Sequence, residues 1–274
     1  MPAKSCNCAC PPSPRFTSPP SQSSADFSGA RWHAARAAIA AIAITAIICL
    51  AAVPRLLAFQ TGSNVKIVDK PINFDQERIQ LTIAYRRVHQ DPKASDVIIQ
   101  PRMIILHWTG IPSFTSTWNY FNRTRAEAER PELAAAGEVN VSAQFLVDRD
   151  GTIYRLMPEN WMARHCIGLN HVAIGIENVG DGEKFALTDA QVHADAALVR
   201  YLAAKWTITH LIGHMEYRRM EGHPYFLELD PKYRNQKPDP GADFMRKVRA
   251  LVADLKLQGP PQIAKSPSAT GGRG

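Results

Sequence analysis

The chain has 274 residues, 45% of them hydrophobic and 21% charged, with 32 Lys and Arg against 25 Asp and Glu. That is globular composition, and the length suits one domain of roughly 150 to 200 residues with tails, which excludes a fibrous or wholly disordered chain and a disulfide-stapled miniprotein. More than half of the +7 surplus charge sits in residues 1–59, so the remaining chain is nearly balanced and lacks the basic stripe of a nucleic-acid binder.

Residues 1–35 are rich in Pro and Ser and read as a disordered leader. Its Cys6, Cys8 and Cys10 stand too close together for zinc-ligand spacing and have no second half nearby. Residues 36–59 contain the uncharged run Ala37 to Val53, preceded by Arg31 and Arg36 and followed by Arg55. A run of 17 residues is the lower limit for crossing a bilayer and more than a secretory apolar core needs, so the segment reads as an N-terminal apolar helix, either signal-anchor or signal peptide. A buried Ala-rich core helix is the alternative. Ile48 before Cys49 replaces the small residue of a lipoprotein signal. The expectation is a protein of the cell envelope, anchored in the inner membrane and facing the periplasm, or exported if the leader is cleaved.

Residues 60–99 read as linker and domain lead-in, and the domain itself is expected over 100–257. Met103 to His107 is a short apolar run between Pro101 and Gly110, as for a buried strand. Ser113 to Arg125 reads as a helix. Ala143 to Asp148 and Thr152 to Leu156 flank Asp150-Gly151, a hairpin signal. His171 to Val179 and Thr209 to His214 read as further strands. Thr188 with Gln191 forms a capping box before Val192, Ala196, Val199, Ala203 and Trp206, which share one helical face. Phe244, Val248, Leu251, Val252 and Leu255 form a second such stripe after Asp239-Pro240-Gly241. This order predicts an α/β domain, a mixed β-sheet flanked by helices. Residues 258–274, rich in Pro, Gly and Ser, read as a disordered tail.

His107 and His214 both end apolar strands, where imidazoles can meet at one metal; either could equally be a hydrogen-bonded structural histidine. A catalytic zinc takes three protein ligands and leaves one position for water. Asp239, held between prolines, is a candidate third ligand, although capping the following helix would also explain it. Strand alternation places Ala173, Gly175 and Glu177 on one face, so a carboxylate emerges among small residues with room for a substrate, or else faces solvent at a sheet edge.

Together, His107-Trp-Thr109, Val141 to Tyr154, Ile174-Gly-Ile-Glu177, Gly213-His214 and Lys237-Pro-Asp-Pro-Gly241 occur in the order found in the amidase-2 family. Over residues 100 to 255 the chain resembles these zinc-dependent N-acetylmuramoyl-L-alanine amidases, in the AmpD-like branch related to T7-type lysozyme and peptidoglycan recognition proteins. The resemblance implies that fold in a single domain, one Zn2+ on His107, His214 and Asp239, and catalysis by Glu177 with Lys237. It implies His165 as a substrate contact, and Trp108 and Asn178 are read as substrate contacts beside it. Peptidoglycan or a muropeptide would be the substrate, cut between N-acetylmuramic acid and L-alanine. The alternatives are a non-catalytic peptidoglycan-binding module and a zinc peptidase acting on the stem peptide. The 24 residues between His214 and Asp239 form a longer insertion than the simplest relatives carry, and its His223, with His210, competes as a ligand.

Overall fold

A computed structural model describes residues 65–127 and 130–262. The leader and the apolar run at 37–53 lie outside the described residues. Among the described residues no helix is long and apolar enough to cross a membrane.

Six strands form one sheet: β1 (Ile67–Asp69), β2 (Met103–Trp108), β3 (Phe145–Val147), β4 (Ile153–Arg155), β5 (Ala173–Asn178) and β6 (His210–Gly213). Their order across the sheet is β1-β4-β3-β5-β2-β6. The hairpin pair β3 and β4 is antiparallel and every other neighbouring pair is parallel. The hairpin turns at Gly151, whose φ of 86° belongs to the left-handed region open to glycine. Among the described residues the five α-helices are α1 (Gln76–His89), α2 (Phe114–Asn122), α3 (Pro131–Ala135), α4 (Asp189–Lys205) and α5 (Ala242–Leu251). The mixed sheet with flanking helices is therefore as the sequence predicts.

Side chains alternate along the central strands as a two-residue period requires. Ile104 and Leu106 of β2, Ile174 and Ile176 of β5 and Leu211 of β6 pack into one core with α4 and α5. Met103, Ile105, Ala173 and Ile212 point to the other face, among Leu169, Tyr217 and Met220. Each such fully buried Ile or Leu contributes on the order of 1.5–3 kcal/mol by leaving water. The parallel arrangement explains why β2 reads as an unbroken apolar run: both of its faces are covered.

Helix α4 starts where its capping box predicts, with Thr188 Oγ1 accepting from the Gln191 amide at 3.2 Å and Gln191 Oε1 accepting from the Thr188 amide at 2.9 Å. Ser113 caps α2, accepting from the Ser116 amide, and that helix stops at Asn122 rather than Arg125. The stripe ending at Leu255 divides, since α5 ends at Leu251 and a 3₁₀ turn, Ala253–Leu255, carries the remainder.

Residues 60–99 are not only linker, because β1 and α1 lie within them and both join the domain. The inner side of α1 carries Arg78, Thr82, Tyr85 and His89, all buried, together with Ile83. Arg78 Nη2 donates to the carbonyls of Phe121, at 2.8 Å, and of Arg123, capping the C-terminal end of α2. The boundary at 257 also moves: the Leu211 amide donates to Gln258 O and the Gln258 amide to Thr209 O, each at 2.9 Å, so the chain still pairs with β6 there.

Candidate active site

Register builds the site. In the parallel pair of β2 and β5, His107 stands opposite Glu177. Both follow the face of Ile105 and Ala173, away from the α4 and α5 core. His214 begins a 3₁₀ helix, His214–Met220, immediately after β6. Glu216 fixes that turn by accepting from the Gly213 amide at 2.9 Å and from Arg249 of α5 at 2.6 Å. The Asp239 turn is tied to it where the Met215 amide donates to Asp239 O at 2.7 Å.

Three donor atoms converge at this end of the sheet. His107 Nδ1 lies 3.0 Å from His214 Nδ1, and both lie 3.1 Å from Asp239 Oδ2. All three residues are buried, and the group has the composition and closeness of a metal-ion site. The other ring nitrogen of His107, Nε2, is 3.0 Å from His165 Nδ1. When that N–H donates to His165, His107 Nδ1 presents a lone pair to a second imidazole nitrogen and to a carboxylate. Three electron-rich atoms so placed are satisfied together by one cation, and atoms that each bind an ion at about 2.0–2.1 Å must lie about 3 to 3.5 Å apart. His214 Nε2 is buried without a protein partner, so this ring's polar contacts are made at Nδ1.

The same enclosure shifts the titrating groups. Burial, reinforced by His214, lowers His107 to about 4. Burial raises Glu177 well above the usual carboxylate range; the charge of Asp239 pushes it the same way while Lys237 opposes. Asp239 is held far below the ordinary carboxylate value despite its burial, because the His107 and His214 rings face its Oδ2 at 3.1 Å. Glu177 Oε2 is buried and has no protein partner, which leaves it available to a water or a substrate atom.

These groups line a cavity of about 280 Å³ whose wall includes His107, Trp108, His165, Glu177, Lys237 and Asp239. A profile of the Amidase_2 family, N-acetylmuramoyl-L-alanine amidase, matches residues 99–242. The chain belongs to the Amidase_2 family. It is 30% identical over 178 residues to a 1,6-anhydro-N-acetylmuramyl-L-alanine amidase AmpD of Salmonella typhimurium, covering 60% of this chain and 87% of that protein. Among solved structures it is similar to the endolysin N-acetylmuramoyl-L-alanine amidase LysCS from Clostridium intestinale, at 24% identity over 70% of this chain and 97% of that one, with a TM-score of 0.44. A selenomethionine derivative of AmpD gives 23% identity, the same coverages and a TM-score of 0.44.

Within this Amidase_2 domain, seven of the eight site residues expected from sequence reach the cavity, and Asn178 does not. Asn178 is fully buried on the opposite face of β5, where its Nδ2 donates to His107 O at 3.2 Å and to Asp195 Oδ2 at 2.9 Å. It is not a substrate contact, because strand alternation sends it away from Glu177. His165 does line the cavity, but its Nδ1 is engaged by His107, so it also orients that ring. Gly175 makes room for it: a Cβ there would stand 2.9–3.0 Å from the His165 ring. Trp108 lies so close over Gly182 that a Cβ at that position would meet its ring at 2.3 Å.

His210 and His223 are elsewhere. Their rings, 4.9 Å apart, pack against Tyr225, and His210 Nδ1 pairs with Thr209 Oγ1 at 2.8 Å. The insertion does border the site, since Tyr233 and Asn235 line the cavity. Sequence reading missed Tyr85, which reaches the same wall from α1; Asp75 at the helix N-cap and Arg86, Arg87 and His89 in its last turn are the signals that mark that helix.

Proposed function

We propose that this protein hydrolyses the amide bond between the lactyl group of N-acetylmuramic acid and L-alanine in peptidoglycan or muropeptides, as a zinc-dependent enzyme of cell-wall turnover or remodelling. The observation that carries this is the convergence of His107, His214 and Asp239 beside Glu177 in one cavity of an Amidase_2 chain. His107 and His214 through Nδ1, with Asp239 through Oδ2, would hold the zinc. Bound zinc lowers the pKa of water toward about 7 and polarises a carbonyl.

Glu177 takes a proton from the attacking water as its oxygen bonds to the lactyl carbonyl carbon. It delivers a proton to the alanine nitrogen as the C–N bond breaks, giving a carboxylic acid and a free amine. Burial, which pushes the Glu177 carboxyl upward, makes its carboxylate a stronger base toward the water proton than an exposed glutamate would be. Lys237 supplies fixed positive charge where the oxyanion develops. Trp108 offers an apolar wall to the substrate.

Retention of Glu177 and all three ligand residues supports an enzyme over a module that only binds peptidoglycan. The uncharged run at 37–53 supports placing the domain in the envelope, outside the inner membrane. The test is the full chain with defined muropeptides, the fragments being read by mass. Release of intact stem peptide that stops on chelation and returns with zinc supports the amidase. Cleavage within the stem would make it a peptidase. Muropeptide binding without release, by zinc-loaded protein, would make it a recognition module.

A further inference from the structure

We infer that Asn178 and Asp195 are positioning residues of the active site: their buried hydrogen-bonded pair fixes the end of β5 against β2 and so holds Glu177 and His107 in mutual register. Asn178 follows Glu177 directly and stands opposite Trp108 in the ladder. Its amide spans three elements, donating forward to His107 O of β2 and backward to Asp195 Oδ2 of α4. Its own carbonyl accepts from the Thr109 amide at 2.9 Å. The end of β2 that carries the metal-ligating imidazole is therefore clamped to the end of β5 that carries the carboxylate. Asp195 is the anchor, on a helix that cannot shift without disturbing the core.

Both side chains are 0% exposed. Asp195 lies on the buried side of α4 with Val192, Leu198 and Val199, and Asn178 is its hydrogen-bond partner. The second carboxyl oxygen of Asp195 and the amide oxygen of Asn178 have no protein partner. Apolar side chains of similar volume would stabilise such a layer at least as well. A polar pair kept in an apolar layer, with one end on the backbone of a metal ligand, is explained by what it positions. The inference rests on the amidase reading only for the chemistry of Glu177; the placement of His107 is measured without substrate.

The experiment uses the full chain and the variants Asp195→Leu, Asp195→Asn and the double variant Asn178→Leu/Asp195→Leu. Asp195→Leu strands the Asn178 amide, whereas the double variant removes both polar partners and recovers the stability. Zn2+ affinity is read by competition with a chromophoric chelator, kcat and KM on a muropeptide, and folding by thermal melting. The double variant is expected to melt near the wild type, to bind Zn2+ about 10-fold more weakly and to lose about 10-fold in kcat with KM within about twofold. Asp195→Asn keeps an acceptor oxygen for Asn178 and restores most of both. A purely structural pair would move melting alone, so a folded double variant with wild-type Zn2+ affinity and kcat overturns the inference. If the Leu variants fail to fold, Asn178→Ser, too short to reach both partners, carries the same expectation. If the wild type releases no product, the proposed function fails, while the Zn2+ affinities still judge the clamp.

Discussion

Asp195→Asn should make the protein more stable at neutral pH, by an amount that grows with pH. Burial inside the sheet-facing side of α4 raises the Asp195 carboxyl from 3.8 to about 8, and the hydrogen bond from Asn178 recovers only part of the lost solvation. Below about pH 4 the folded and unfolded chains both hold this proton, and the group contributes nothing to pH dependence. From there to about pH 8 the unfolded chain releases the proton and the folded chain keeps it, so wild-type stability falls as pH rises. One proton held differently costs about 1.4 kcal/mol per pH unit, which gives about 4 kcal/mol between pH 4 and pH 7. That is a large part of the total stability, about 5–15 kcal/mol, of an ordinary domain.

Asparagine keeps the acceptor for Asn178 and cannot ionise, so the variant lacks this loss. Urea unfolding of both proteins at intervals from pH 4 to pH 9, with metal removed, measures it. Other titrating groups cancel in the difference between the two stabilities. That difference should rise by about 4 kcal/mol to pH 7 and level off above about pH 8. A difference that stays flat across this range would refute the reasoning, because Asp195 would then ionise as an exposed carboxylate does.

Glu177→Gln should fold and bind zinc as the wild type does, yet lose about 10²- to 10⁴-fold in kcat, the usual share of a general acid and base, as followed by release of stem peptide. His165→Ala removes the partner 3.0 Å from His107 Nε2 and should weaken zinc binding about 10- to 100-fold in a chelator competition; unchanged affinity would make His165 a cavity-wall residue only. Gly175→Ala drives a Cβ into the His165 ring and should cost about 1–3 kcal/mol in chemical denaturation as well as weakening zinc binding. Deleting residues 65–99 from the full chain removes Tyr85 from the cavity wall and Arg78 from the end of α2, so the product should be insoluble or fail to melt cooperatively.

Helices α4 and α5 were legible because their inner faces are apolar at helical spacing and because Thr188 and Gln191 form a local cap whose geometry involves only neighbouring residues. Strand β2 was legible because both of its faces are buried. Helix α1 was not, since its buried side sets the polar Arg78, Thr82 and His89 among Ile83 and Tyr85, and Arg78 and His89 stand in a core only because distant partners receive them. Phe121 O receives Arg78, while Ala136 O and Glu228 receive His89 at 2.7 and 2.8 Å. No hydrophobic period exists there to be read.

The candidate site divides in the same way. Residue types made His107, His214, Asp239 and Glu177 candidates, and the family resemblance in motif order grouped them with Lys237, because donor chemistry belongs to the side chain and motif order survives in one dimension. Only the tertiary structure decided which nitrogen of each imidazole meets the carboxylate and that His165 engages the other nitrogen of His107. It alone turned Asn178 from the cavity toward Asp195, 17 positions away in sequence, and gathered His210 and His223 with Tyr225 in a separate cluster. The physical reason is that a strand's register and facing are fixed by what packs on each side of the sheet, and those partners lie far away in the chain.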